Sequence, residues 1–137
     1  LPQSGTVLIS VSDPDKPEAL AVAREFRRLG FRIKATEGTQ QYLADNGVEA
    51  EKILKMNAGR PNIVDAIKNG EVQLVINTPI GKRGTSDDSY IRKAAIKHKV
   101  SYVTTMAAAR AAAKGIAAYR QKDPEAVSLQ RYHARIR

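Results

Sequence analysis

Short apolar, β-branched runs alternate along the chain with stretches whose apolar residues recur at helical spacing. Thr6, Val7, Leu8, Ile9 and Ser10 form the first run, and residues 31–35 the second. Residues 51–56 read as a third strand, so charged that it belongs at a sheet edge. Residues 72–77 are mostly apolar, as in a strand buried on both faces. Residues 100–104 complete the set. Between the runs lie helix signals. Asp13-Pro14-Asp15 supplies a capping carboxylate and an early Pro, Leu20, Ala23, Phe26 and Leu29 follow, and Gly30 is a stop. A short helix is expected over 39–46 before Gly47, and a third from Asn62 to the Asn69-Gly70 stop. Asp87 or Asp88 is expected to cap a fourth helix carrying Ile91, Ala94, Ala95 and His98, and 106–119 form an alanine-rich fifth. Five strands alternating with five helices predict right-handed βαβ units and an α/β fold on one parallel sheet.

The 137 residues suffice for one domain with its own core. The expected division is a linker remnant over 1–5, a domain over 6–120 and a C-terminal helical arm over 121–137. The arm has few apolar residues and would be marginal alone. No apolar run approaches the ~20 residues that cross a bilayer, and no secretory signal pattern appears, so the cytoplasm is the expected location. With no cysteine and two separated histidines, His98 and His133, no metal site is expected. The net charge of +9 invites polyanions, but the bases are scattered and five Tyr, two Phe and no Trp make a poor stacking platform.

Carboxyl ends of parallel strands converge on one edge, where ligands bind. There the sequence offers Ser10 to Lys16 after the first strand, Thr36-Glu37-Gly38-Thr39 after the second, Lys55 after the third and Asn77-Thr78 after the fourth. Hydroxyls, lysines and helix N-termini suit a phosphate. Each piece also has a plain reading: caps, a turn glycine and solvated lysines. Lys82-Arg83, between Gly81 and Gly84, either clamp an anion or solvate a turn, and Asp87 and Asp88 are more often caps. No Ser–His–Asp set, dinucleotide fingerprint, Walker A motif or carboxylate pair on strand ends is present, so no catalytic residue is assigned.

Val7-Leu8-Ile9-Ser10 with Lys16, Ala35-Thr36-Glu37-Gly38-Thr39, Lys55, Gly59-Arg60-Pro61-Asn62-Ile63, Val75-Ile76-Asn77-Thr78 and Tyr102-Val103-Thr104-Thr105 occur in one order. In this the chain resembles the methylglyoxal-synthase-like domain that closes the large subunit of bacterial carbamoyl-phosphate synthase. The resemblance implies a Rossmann-like three-layer sandwich with a five-stranded parallel sheet. It implies a non-catalytic regulatory domain that binds UMP as inhibitor and IMP as activator in one pocket. Ornithine would bind at the border with a neighbouring domain. The partners implied are the preceding ATP-grasp domains of the same chain and a small glutaminase subunit. The parent is an ATP-dependent ligase making carbamoyl phosphate from glutamine, bicarbonate and ATP for pyrimidine and arginine biosynthesis. It uses ATP with Mg or Mn and K, and the domain itself needs no cofactor.

Carried over position by position, the phosphate and ribose contacts fall on Ser10, Lys16, Thr36, Thr39, Lys55 and Asn77. Asp87, Ile63 and Ile91 match positions near the ribose and base, and Tyr102 and Thr104 match the ornithine contribution. Pro79 departs from the pattern: it stands where a second Thr is expected, and it has neither hydroxyl nor N–H. Two alternatives remain at this point, a methylglyoxal-synthase-type lyase and a basic nucleic-acid-binding domain. Against the first, Arg60 stands after Ala58-Gly59 where that enzyme has its catalytic Asp. The IMP cyclohydrolase domain shares the opening Leu8-Ile9-Ser10-Val11-Ser12-Asp13 style, but its Lys-Thr-Leu-His-Pro stretch is missing.

Overall fold

A computed structural model describes residues 1–55, 59–78 and 86–122. Strands β1 (Thr6–Ser10), β2 (Arg32–Thr36), β3 (Glu51–Ile53), β4 (Leu74–Asn77) and β5 (Ser101–Val103) form one parallel sheet in the order β3-β2-β1-β4-β5. Five helices alternate with them: α1 (Lys16–Arg28), α2 (Glu37–Asp45), α3 (Ile63–Lys68), α4 (Ser86–Lys97) and α5 (Met106–Lys122). A 3-10 turn, Asp13–Asp15, precedes α1.

The two-residue period of the strands sets the layers. On β1, Val7 and Ile9 join one buried cluster while Leu8 joins the other; on β4, Leu74 and Ile76 part from Val75 in the same way. The first cluster gathers α1, α2 and α5 through Phe26, Leu43, Ala109, Ala113 and Ile116. The second gathers α3 and α4 through Ile63, Ile67, Ile91 and Ala94. Helices therefore cover both faces, and every residue of β1 and β4 is buried. The charged strand is an edge, as its composition predicts, with Glu51 and Lys52 exposed.

Local chemistry explains the element ends. Gly30 and Gly47 follow α1 and α2 with φ of +94° and +84°, the left-handed region where a Cβ is unfavourable. Asn62 opens α3 with a capping box: its side-chain oxygen accepts from Val64 N at 3.0 Å and Asp65 N at 3.3 Å, and Asp65 Oδ2 accepts from Asn62 N at 2.9 Å. Arg60 grips the same carboxylate at 2.6 and 3.2 Å, and this holds Asp65 below the usual carboxylate range, with the Asn62 N–H contributing next. Asn62→Ala should lower stability by about 1 kcal/mol. A urea midpoint unchanged from the parent chain would show that the box is dispensable.

Two expectations shift. α4 begins at Ser86, so Asp87 and Asp88 lie in its first turn rather than at its cap. Helix α2 starts at Glu37, two residues early: Thr36 ends β2 in extended conformation, φ −70° and ψ 163°, and the helix follows it directly. The expected arm begins at 121, but α5 runs through Lys122; residues 123–137 lie outside the described residues.

Candidate functional site

Three neighbouring strands, β1, β2 and β3, end along one rim, and the segments that leave them face a cleft of about 270 Å³. From β1 come Ser12, Asp13 and Lys16, from β2 come Thr36, Gly38 and Thr39, and Lys55 comes after β3. The rim is the carboxyl edge of the sheet, beside the β1/β4 junction where the strand order reverses.

Hydroxyls hold the floor together. Thr36 Oγ1 donates to Ser10 Oγ at 3.1 Å, and both residues are buried. Thr39 Oγ1 accepts from Val11 N at 3.3 Å, and Thr78 Oγ1 accepts from Ser12 N at 2.9 Å. Thr78 N also donates to Ser10 O at 3.0 Å. The β1 loop is thus pinned from both sides, by the end of β4 and by α2. Sequence reasoning brings Thr78 to this rim as a hydroxyl beside Asn77, without the Ser12 N–H that it accepts from. Its one signal is its place just after a buried strand end.

The electrostatics favour an anion. Lys16 Nζ lies against Gly38, where an added Cβ would stand 3.2 Å from it, so the glycine leaves room for the ammonium. Thr36 precedes α2 without making a side-chain cap bond, which leaves the first N–H groups of that helix to another acceptor. Lys16 is ion-paired with Asp13. The hydrogen bond and charge of Lys16, with Lys55 adding from farther off, hold the Asp13 carboxyl below its ordinary value. The expected cap is therefore corrected: Asp13 pairs with Lys16, and Asp15 accepts from the Ser12 hydroxyl at 2.9 Å. Helix α1 starts without a side-chain cap.

Lys16, Thr36, Thr39 and Lys55 line the cleft together, and Ser10 lies beneath them, bonded to Thr36. Asn77 does not line it. Its Nδ2 donates to Asp88 Oδ1 and Tyr102 Oη, each at 3.0 Å, tying β4 to α4 and β5. Burial pushes the Tyr102 hydroxyl pKa up, against the Asn77 hydrogen bond. Thr104, just past β5, is exposed. Ile63, which opens α3, and Ile91 have their side chains buried in the α3–α4 core. Asp87 falls in the first turn of α4, while Lys82, Arg83 and Pro79 lie outside the described residues. Among the described residues no cluster of three or more His, Asp or Glu is arranged to hold a metal. No helix among them is long and apolar enough to cross a membrane.

A family profile described as the MGS-like domain matches residues 18–104. The carbamoyl phosphate synthase large chain of Archaeoglobus fulgidus is 51% identical over 97% of this chain and 12% of its own length. That of Gemmatimonas aurantiaca is 47% identical over 100% of this chain and 12% of its length. The carbamoyl phosphate synthase large chain, C-terminal section, of Aquifex aeolicus is 49% identical over 94% of this chain and 24% of its length. The chain thus spans between about an eighth and a quarter of these relatives. Among solved structures, methylglyoxal synthase from Elizabethkingia anophelis superposes with a TM-score of 0.64 at 16% identity, covering 82% of this chain and 79% of that one. That likeness is one of fold.

Proposed function

The chain belongs to the MGS-like domain family and matches the C-terminal section of carbamoyl phosphate synthase large chains, and from that premise we propose that it is the allosteric effector domain of such an enzyme. The observation that carries the reading is the cleft at the ends of β1, β2 and β3, with Lys16, Lys55 and the uncapped start of α2 turned to one small volume. It suits the phosphate of a nucleoside monophosphate, which carries a charge of about −1.5 to −2 near neutral pH. UMP as inhibitor and IMP as activator are the ligands proposed. Lys16, Lys55, Thr36 and Thr39 hold the phosphate end, and Ser10 positions Thr36.

Tyr102 and Thr104, on the β5 side, contribute to an ornithine site completed by a neighbouring domain. The two sites share β4: Asn77 sits opposite Ser10 in the β1/β4 register and donates to Tyr102 Oη. A ligand at either place biases the whole only if it binds two states unequally, and the coupling is reciprocal. The parent enzyme would form carbamoyl phosphate from glutamine, bicarbonate and ATP, with its glutaminase subunit and ATP-grasp domains performing the chemistry. The cleft supports a binding role without chemistry. The acid that lines it, Asp13, is held ionised below its ordinary range and so is a weak proton acceptor. Where methylglyoxal synthase would need its base, Arg60 is engaged with Asp65.

Calorimetry of the chain with UMP and IMP should give saturable binding of at least one. Absence of heat at millimolar concentrations of both would sink the effector reading. Titrating the full-length large chain while following glutamine-dependent synthesis then gives the sign of each effect.

A further inference from the structure

We propose that Asp13 is an internal competitor of the bound anion, a carboxylate that holds the cleft's cations until a phosphoryl group displaces it. The inference rests on the effector-cleft reading above. Asp13 lines the cleft and is ion-paired with Lys16. The side chain of Lys16 is 18% exposed and that of Asp13 is 89% exposed. The cation is therefore fixed against the cleft beside Gly38, while its partner approaches from the solvent side. Lys55 also acts on the same carboxylate. These two lysines are the side-chain cations that an incoming phosphate would use.

Among the described residues no helix start or core contact depends on the pair. Asp13 caps no helix through its side chain, and its 3-10 turn contains no buried residue. Exposed ion pairs add little to stability. The carboxylate can swing out by side-chain rotation alone, without unpacking the core. The exchange favours a dianion: a phosphate monoester brings more charge to Lys16 and Lys55 than the carboxylate it replaces, whereas a monoanion gains nothing. Asp13 thus acts as a filter for phosphate monoesters over the chloride and carboxylates that crowd any basic cleft.

Calorimetric titration with UMP and IMP tests this on the parent chain, Asp13→Asn, Asp13→Glu and Glu49→Gln. Glu49 is an exposed acid facing Arg27 at 3.9 Å, away from the cleft lining, and its loss controls for net charge. Asp13→Asn should bind about threefold to tenfold more tightly, while Asp13→Glu and Glu49→Gln stay near the parent. An unchanged or weaker affinity in Asp13→Asn overturns the competitor and leaves the effector cleft standing. An equal gain in Glu49→Gln also overturns it, since net charge alone would then explain the effect. Lack of binding by every variant overturns both.

Discussion

Replacing Phe26 by alanine is expected to lower the free energy of unfolding by about 3–5 kcal/mol. Phe26 is fully buried on α1 and meets the ring of Phe31 edge-on, with centroids 5.3 Å apart and planes at 85°. Phe31 in turn lies 5.9 Å beneath the Arg120 guanidinium, which donates to the carbonyls of Leu29 and Gln3, the latter at 2.6 Å. The pair therefore joins α1, the entry to β2, the C-terminal half of α5 and the first residues of the chain. Deleting the Phe26 ring removes its own transfer energy and leaves a void in a cluster walled partly by strands, which cannot move inward without breaking sheet hydrogen bonds. A domain of this size has roughly 5–15 kcal/mol in all, so the loss is a large share of its stability. Urea denaturation monitored by circular dichroism measures it. A loss under about 1.5 kcal/mol, the range of volume-conserving swaps, would mean that the cluster collapses onto the gap.

The layers behind that cluster are legible in the sequence, because period two on β1 and β4 and helical spacing on α1 leave one arrangement that buries both faces. The strand order around β1 is not, since each pairing is a non-local choice. Helix starts mislead where an acid looks like a cap: Asp13 and Asp87 or Asp88 precede apolar positions, but Lys16 claims the first and α4 begins ahead of the others. Lys16, Thr36, Thr39 and Lys55 can be grouped from sequence because parallel strands carry their outgoing segments to one edge, and those four do line one cleft. Asn77 obeys the same rule in its backbone, yet its amide turns to Tyr102, 25 residues further on, and to Asp88. That choice depends on which polar groups the next strand and helix bring within reach, which no local pattern specifies. Ile63 and Ile91 follow the simpler rule that apolar residues at helical spacing bury their side chains in the core.

Among single changes in the cleft, Lys16→Met should have the largest effect on effector affinity. Methionine keeps most of the stem and removes the charge. A hydrogen bond to a charged group contributes roughly 1.5–3 kcal/mol, so the dissociation constant of UMP or IMP should rise about tenfold to a hundredfold. Lys16 is a cleaner probe than Thr36, whose hydroxyl also holds Ser10 and whose loss would disturb the floor. Stability should hardly change, because the Asp13 partner is exposed and the pair is of the weak kind. The change also strands the Asp13 carboxylate beside the incoming phosphate, with Lys55 as the counter-charge left acting on it. Adding Asp13→Asn to Lys16→Met should therefore restore part of the lost affinity by relieving repulsion alone. The four titrations, parent, two singles and the double, form a cycle. Its coupling energy separates the competition for Lys16 from simple charge repulsion across the cleft. If Lys16→Met binds both nucleotides within twofold of the parent, the phosphate is not held at this rim, and the effector site must lie elsewhere in the domain.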